Sequence, residues 1–248
     1  MIEVKNLYKS FDGVPVLEDI NIQFEQGKTN LIIGQSGSGK TVLMKCCIGL
    51  FPVDQGIISF NGRDFSGLPD KKRRHIRQEM GVLFQGGALF DSFTVEENIM
   101  FPMNMFTNMT LKEKKERVNF VLENVNLGGT NEKFPSELSG GMLKRVAIAR
   151  ALSLNPKYLF ADEPNSGLDP KTAERIDTLL YDLTKKFNMT TVINTHDMNS
   201  VLEIGEKISY IHKGKLWWEG NHKEILQTDN PELNEFVFAT ALTRRIKK

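Results

Sequence analysis

Cysteine is scarce in this chain: 248 residues hold only Cys46 and Cys47, side by side. Two adjacent cysteines cannot knit a disulfide framework. The pattern points to a reducing compartment and to two small thiols facing a core. An excess of either charge is missing as well. The 32 Lys and Arg nearly cancel the 31 Asp and Glu, leaving a net charge of +1. That balance sets up no global field to draw nucleic acid or anionic lipid, so nucleic acid is not an expected partner. No apolar run approaches the roughly 18 residues that span a bilayer, and the opening MIEVKNLYKSF lacks the apolar core of a signal peptide. Any membrane role is expected to be borrowed from a partner. Repeats, low-complexity tracts and Pro/Ser-rich linkers are absent too. What remains is 40% hydrophobic and 25% charged, an ordinary globular composition with enough length for a substantial core.

Periodicity then marks the elements. Ile2, Val4 and Leu7 alternate, as do Ile20, Ile22 and Phe24, on either side of FDGVP (11–15), which reads as strands and a turn. TNLIIG (29–34) is a short buried strand running into glycines. TVLMKCCIGL (41–50) follows, with Leu43, Cys47 and Leu50 at helical spacing. GIISFNG (56–62) reads as a strand closed by an Asn-Gly turn. KKRRHIR (71–77) reads as the solvated face of a short helix, with a phosphate or headgroup patch as the alternative. TLKE (110–113) is a capping box, and Leu111, Val118, Leu122 and Val125 make one helical face. A helix is expected over 140–154, before Asn155-Pro156. YLFAD (158–162) is an apolar strand ending in acid, and Asp169-Pro170 opens a helix with Ile176, Leu179, Leu183 and Phe187 on one side. TTVINTH (190–196) is a β-branched strand, and ISYIHKGKLWW (208–218) a hairpin around Lys213-Gly214. Strands alternating with helices predict an α/β fold with a mainly parallel sheet. The mostly helical stretch 86–155 interrupts that alternation and reads as an inserted subdomain. The expected division is an α/β core (1–85 and 156–220), the helical subdomain, and a C-terminal helical extension (221–248).

The chemistry begins at GQSGSGKT (34–41), which matches G-x-x-x-x-G-K-[ST] between a strand and a helix. Gly34, Gly37 and Gly39 let backbone N–H groups wrap phosphates, with Gln35, Ser36 and Ser38 completing the loop. The following helix N-terminus faces the anion. Lys40 reaches the β- and γ-phosphates, and Thr41 can bind Mg²⁺. A Gly/Ser-rich turn before an ordinary helix is the plain alternative, which the flanking strand and helix disfavour. YLFADE (158–163) supplies a second half. A buried strand brings Asp162 to its C-terminal edge, where a carboxylate can hold Mg²⁺ through water. Glu163 is then placed to orient or deprotonate an attacking water. In ELSGGMLKRVAIARAL (137–152), Ser139, Gly140 and Gly141 precede another helix and make a second anion-binding helix end. One nucleotide cannot easily occupy both.

At these residues the sequence resembles the ABC transporter ATPases, whose signature is LSGGQ followed by a helix much like KRVAIARAL. The resemblance runs from about residue 1 to 220. It implies a P-loop NTPase fold of the ABC ATPase type: a RecA-like, mainly parallel sheet, an antiparallel N-terminal β-subdomain and the inserted helical subdomain. It further implies a head-to-tail homodimer, with ATP sandwiched between the phosphate loop of one subunit and the signature of the other. Phe11 resembles the aromatic that stacks on adenine, with strand core as the alternative. Gln85 is similar to the Q-loop glutamine, which senses Mg²⁺ and the attacking water. SGLD (166–169) is similar to the D-loop, and Asp169 fits equally the N-cap of the next helix. His196 in NTHD resembles the switch histidine at the γ-phosphate, with a structural role as the alternative. ATP and Mg²⁺ are the implied cofactors. An integral membrane permease is the implied partner, holding the chain on the cytoplasmic face of the inner membrane.

Two departures narrow the resemblance. Met142 stands where most of the family has Gln, and LSGGM resembles the Mla-like ATPases of MCE-type lipid transport. FQGGALFDSFTVEENI (84–99) is similar to the same group. This implies phospholipid or another hydrophobic cargo, with an MCE-domain protein and a small accessory subunit as further partners. Met142 offers no strong donor, which leaves recognition across the dimer to Ser139 and the Gly140 and Gly141 backbone. Gly86 and Gly87 would let the loop move with Gln85. Met100, Met103 and Met105 suit either a permease contact or subdomain core. A helix from Asn230-Pro231 would carry Leu233, Phe236, Val237 and Ala241 on one stripe, before RRIKK. It packs on its own domain or, as the resemblance allows, reaches a partner. An amino-acid or lipoprotein transporter ATPase remains open. A soluble ABC ATPase acting on DNA or ribosomes would need a coiled-coil insertion, tandem cassettes or a basic face, and a non-hydrolysing sensor is opposed by Glu163.

Overall fold

The structure, a computed structural model, describes residues 1–238. The first apolar alternation folds as β1 (Ile2–Phe11) and β2 (Val14–Phe24), antiparallel around Asp12 and Gly13. Both turn residues have left-handed backbones, φ 51° and 79°, as a two-residue hairpin turn requires. The other edge of β1 pairs with β4 (Gln55–Phe60), and the Asn61-Gly62 turn adds β5 (Arg63–Asp64). This antiparallel sheet runs β2-β1-β4-β5.

A second sheet collects β3 (Thr29–Ile33), β6 (Met80–Leu83), β7 (Tyr158–Asp162), β8 (Thr190–Asn194), β9 (Lys207–His212) and β10 (Lys215–Gly220) in the order β10-β9-β3-β8-β7-β6. Only β10 runs antiparallel. Its central strands β3 and β8 are buried along their whole length because both faces are covered. Ile32, Phe160, Val192 and Ile211 face a core shared with the antiparallel sheet and α1 (Lys40–Cys47), joined by Ile76 of α2 (Asp70–Arg77). Leu31, Leu159, Ala161 and Ile193 face the other core, with α5 (Gly140–Leu152), α6 (Pro170–Phe187) and α7 (Met198–Ile204). Cys46 and Cys47 are buried and free, and burial pushes the Cys46 thiol up to about 12. They are core thiols.

Between β6 and β7 the chain is helical: α3 (Val95–Phe106), α4 (Leu111–Asn124), then α5. Capping boxes start the first two. Thr94 Oγ1 accepts from the Glu97 N–H while Glu97 accepts from the Thr94 N–H, and Thr110 with Glu113 does the same. α8 (Pro231–Val237) is capped by Asn230 and buries Leu233 and Val237 in the second core, with Phe236 against it. This part of the tail packs on its own domain; Ala241 and RRIKK lie outside the described residues. Among the described residues, no helix is long and apolar enough to cross a membrane.

Three expectations need correction. α1 ends at Cys47, because Gly49 turns left-handed at φ 74°, and Leu50 is 56% exposed rather than on the helix's buried face. Leu111 is 65% exposed: as the first residue of α4 it projects beyond the core that Val118 and Leu122 enter. α5 ends at Leu152, two residues early. The methionines divide, with Met100 and Met103 buried and Met105 exposed.

Asn98 is fully buried and staples the loop that follows the twin glycines. Its Oδ1 accepts from the Phe90 N–H at 2.9 Å, and its Nδ2 donates to the carbonyls of Phe90, Phe93 and Thr94 at 3.1, 3.1 and 3.0 Å. Asn98→Ala strands these buried groups and is expected to cost about 3 kcal/mol. A lowered urea midpoint with unchanged slope is the expected reading.

Candidate functional site

Four parallel strands end on the same side of the sheet, and each delivers part of the site. After β3 the chain turns through left-handed glycines into α1. Gly34 has φ 149°, and a Cβ there would lie 2.3 Å from the Ile211 carbonyl oxygen and 2.7 Å from Ser38 Oγ. At Gly39, φ 108°, it would lie 2.7 Å from Leu17 Cδ2. Both backbone conformations favour glycine, and at Gly34 a Cβ would also run into backbone. Lys40 is buried, and its Nζ donates to the carbonyls of Gly34 and Gln35 at 2.8 and 2.9 Å. Burial pulls the ammonium below its ordinary range, while Glu163 and Asp162 pull the other way. Thr41 Oγ1 lies 3.4 Å from Asp162 Oδ1, which also accepts from Asn194 Nδ2 at 3.0 Å.

Glu163 leaves β7 with a left-handed backbone, φ 47°, and its N–H donates to the Asn194 carbonyl at 3.0 Å. Its Oε2 accepts from Gln85 Nε2 at 3.0 Å, and its Oε1 lies 2.8 Å from His196 Nδ1. The predicted Gln85, Glu163 and His196 thus meet directly. They line one open groove together with Gly37, Lys40 and Thr41. Two cations that the sequence reading passed over hold the Gln85 loop from α5. Lys144 Nζ donates to the Gln85 carbonyl, and Arg150 donates to the carbonyls of Gly87 and Ala88 at 2.7 Å each. Their signal was two long cations, buried or half-buried, among the apolar positions of α5.

Other predicted residues stand apart. Phe11 is outside the groove lining and 38% exposed, so it is not strand core. Its ring meets Phe51 edge-on at 5.2 Å, with Lys9 Nζ 5.0 Å from its centre. Ser139, Gly140 and Gly141 open α5 at an exposed end, also outside the lining. Ser139 Oγ accepts from the Met142 N–H at 3.3 Å, and a Cβ on Gly141 would lie 2.6 Å from Thr172 Cγ2. Asp169 caps α6, accepting from the Thr172 N–H at 3.1 Å, and bonding to Thr172 holds its carboxyl below the usual range.

Because the nearest atom a Gly34 Cβ would meet is the Ile211 backbone oxygen, Gly34→Ala has no cheap relief. Nucleotide affinity is expected to fall by about 100-fold or more, about 3 kcal/mol, measured with a fluorescent ATP analogue; wild-type affinity would contradict the close approach.

The description "ABC transporter" belongs to the family model that matches residues 17–166. Over 236 residues the chain is 36% identical to the "Probable ribonucleotide transport ATP-binding protein mkl" of Mycobacterium leprae, covering 95% of this chain and 68% of that one. Over 238 residues it is 37% identical to the intermembrane phospholipid transport system ATP-binding protein MlaF of Haemophilus influenzae, covering 96% and 90%. Among solved structures, a dimeric ATP-binding cassette in a post-hydrolysis state with ADP and Pi matches with TM-score 0.81 and 31% identity, over 90% of this chain and 99% of that one. With the family match over more than half of its length and relatives 36% and 37% identical, the chain belongs to the ABC transporter family as one of its ATPase subunits.

Proposed function

We propose that this chain binds MgATP in the groove and hydrolyses it as a head-to-tail homodimer, energising the movement of phospholipid or another hydrophobic molecule through an integral membrane permease. One observation carries the dimer: Gln85, Glu163 and His196 converge beside the phosphate loop, while the Ser139 helix end opens elsewhere on the same chain. A second copy would bring that helix end over the nucleotide, with Ser139 and the Gly140 and Gly141 backbone facing the phosphates. The loop N–H groups of residues 35–39 and the start of α1 would cradle the phosphates, and Lys40 would exchange two neutral carbonyls for anionic oxygens. Phe11, exposed at the end of β1, would stack on the base.

The residues fit a magnesium ion. Thr41 Oγ1 and Asp162 Oδ1 converge as hard oxygen donors, and Mg²⁺ on a nucleotide needs few protein ligands. Thr41, Asp162 and the Gln85 side chain would hold it, and it would neutralise charge on the phosphates. Glu163 orients the attacking water and takes its proton, and His196 contacts the γ-phosphate. Asp169 caps α6 and would also meet the second subunit. The chain would act as an α/β core (1–85 and 156–220), a helical subdomain (86–155) that meets the permease, and a C-terminal extension (221–248).

The lipid reading is supported by the likeness to MlaF over 90% of that protein, together with Met142 and the GGALF wording of the Gln85 loop. An MCE-domain protein and a small accessory subunit belong to the same proposal, as does attachment to the cytoplasmic face of the inner membrane. A second reading, a transporter ATPase for another cargo, is favoured by the relative named for ribonucleotide transport. Affinity purification from native membranes with mass spectrometry separates the two. A co-purifying MCE-domain protein and bound lipid are expected; an amino-acid or nucleotide permease would overturn the lipid reading.

Glu163→Gln is expected to lower kcat by about 100-fold or more and to trap an ATP-bound dimer visible by size-exclusion chromatography. Normal turnover would contradict the assignment. Phe90 is 40% exposed and clusters with Phe93 and Phe101 at ring distances of 5.0 and 4.8 Å. Phe90→Asp, like Leu89→Asp, is expected to abolish stimulation by the permease while leaving ATP affinity within about 2-fold. Lost ATP binding would instead mark these side chains as core.

A further inference from the structure

In the wall of the groove, a buried polar cluster joins the two loops that flank the Glu163–His196 pair. Asn165 follows Glu163 by two residues, and Ser200 follows His196 by four. Asn165 Nδ2 donates both to Ser200 Oγ at 2.9 Å and to Asp177 Oδ2 at 3.0 Å. Ser200 Oγ donates to the same Asp177 oxygen at 2.6 Å. Three segments therefore meet at one atom: the turn after β7, α6 and α7. Asn165, Asp177 and Ser200 are 8%, 2% and 1% exposed. The turn needs holding, because Glu163 sits at φ 47°, a backbone region that costs a non-glycine residue free energy unless its surroundings impose it.

We propose that Asp177 is a positioning residue for ATP hydrolysis, its carboxylate clasping the turn that carries Glu163 to the helix that follows His196. The proposal rests on the roles given above to Glu163 and His196. It also explains why an acid is buried there at all. Asp177 Oδ1 has no hydrogen-bond partner among the described residues, and no cation there pairs with it. The charges that act on it are acids, Asp197 at the start of α7 and Glu203 within α7, while Lys171 and Glu174 precede it on α6. Burial, reinforced by Asp197 and Glu203, raises its carboxyl to about 6 against the bonds from Ser200 and Asn165. A folded-state value raised above the unfolded one means that the folded chain holds this proton more tightly. The folded state therefore loses stability as pH rises from about 4 to about 6 and stays at that lower level above. At neutral pH the buried charge is kept at a cost to stability.

Three variants test the clasp in the full-length chain, with kcat, KM for ATP and melting temperature measured at pH 5 and 7.5. Asp177→Leu removes the shared acceptor. It is expected to lower kcat about 10-fold or more, with KM within about 2-fold, when assayed well below its melting temperature. Asp177→Asn keeps an acceptor oxygen and is expected to retain kcat within about 3-fold, while its gain in melting temperature over wild type shrinks from pH 7.5 to pH 5. Ser200→Ala removes one donor and is expected to lower kcat about 3-fold or more without a change in KM. Wild-type kcat in both Asp177→Leu and Ser200→Ala overturns the proposal, as does a loss of kcat that merely tracks a fall in melting temperature. If Asp177→Leu does not fold, Ser200→Ala decides alone. A wild-type protein that binds MgATP without hydrolysing it sinks the ATPase roles and not the clasp. Amide hydrogen exchange over 163–168 then reads the clasp directly: faster exchange in Ser200→Ala sustains it, and unchanged exchange overturns it.

Discussion

The contact on which the site depends is the Glu163 carboxylate, held between the Gln85 amide and the His196 ring. Each partner comes from a different strand: Gln85 follows β6, Glu163 follows β7 and His196 follows β8. The parallel order β8-β7-β6 brings those three ends side by side. The register is strict, with Leu83 opposite Ala161 and Asp162 opposite Asn194. A slip of one residue would turn each side chain to the other face and dissolve the convergence. The two apolar cores prevent that slip. Odd and even positions of β7 are committed to different cores, so the sheet cannot shift without exposing one set.

The same constraint explains why α5 is more than a covering helix. Its N-terminal end carries Ser139 and the two glycines, while Lys144 and Arg150 farther along take the carbonyls of Gln85, Gly87 and Ala88. The loop after β6 would otherwise leave these carbonyls with few partners, since Gly86 and Gly87 bring no side chains to bond them. Placing cations inside the fold costs desolvation, visible in the lowered Lys144 and Arg150 values. Bonding to several carbonyls offsets that cost. One helix therefore carries the Ser139–Gly141 end and also holds the loop of Gln85.

What was legible in the sequence was local. The phosphate loop, the acid at the end of β7, both capping boxes and the strands around Asn61-Gly62 and Lys213-Gly214 follow from spacing of a few residues. So does the N-cap of Asp169. Expectations failed where a local pattern outran its context: Leu50 keeps helical spacing past the glycine that ends α1, and Leu111 keeps the face of α4 but lies outside the core. Phe11 shows a different limit, since strand alternation cannot say that the last residue of β1 projects past the sheet. Asn98, Lys144 and Asp177 were illegible for one reason. Each is a polar residue on a helix whose partners lie on other segments, so only the assembled fold shows what it holds.

The glycine-rich loop before α1 is built for a ligand and not for stability alone. Lys40 is buried and bonded to two carbonyls of its own loop. Ser38 Oγ is buried with no hydrogen-bond partner among the described residues. A loop selected for stability alone would not desolvate an ammonium against neutral oxygens and leave a hydroxyl unpaired beside it. Lys40 is the first residue of α1 and Ser38 lies two residues before it, at the helix end where the dipole favours negative charge. Anionic oxygens there would strengthen the bonds to Lys40 by charge assistance and raise its lowered proton affinity again. The loop thus suits an anion, and Gly34 and Gly39 let the backbone come close enough to meet one.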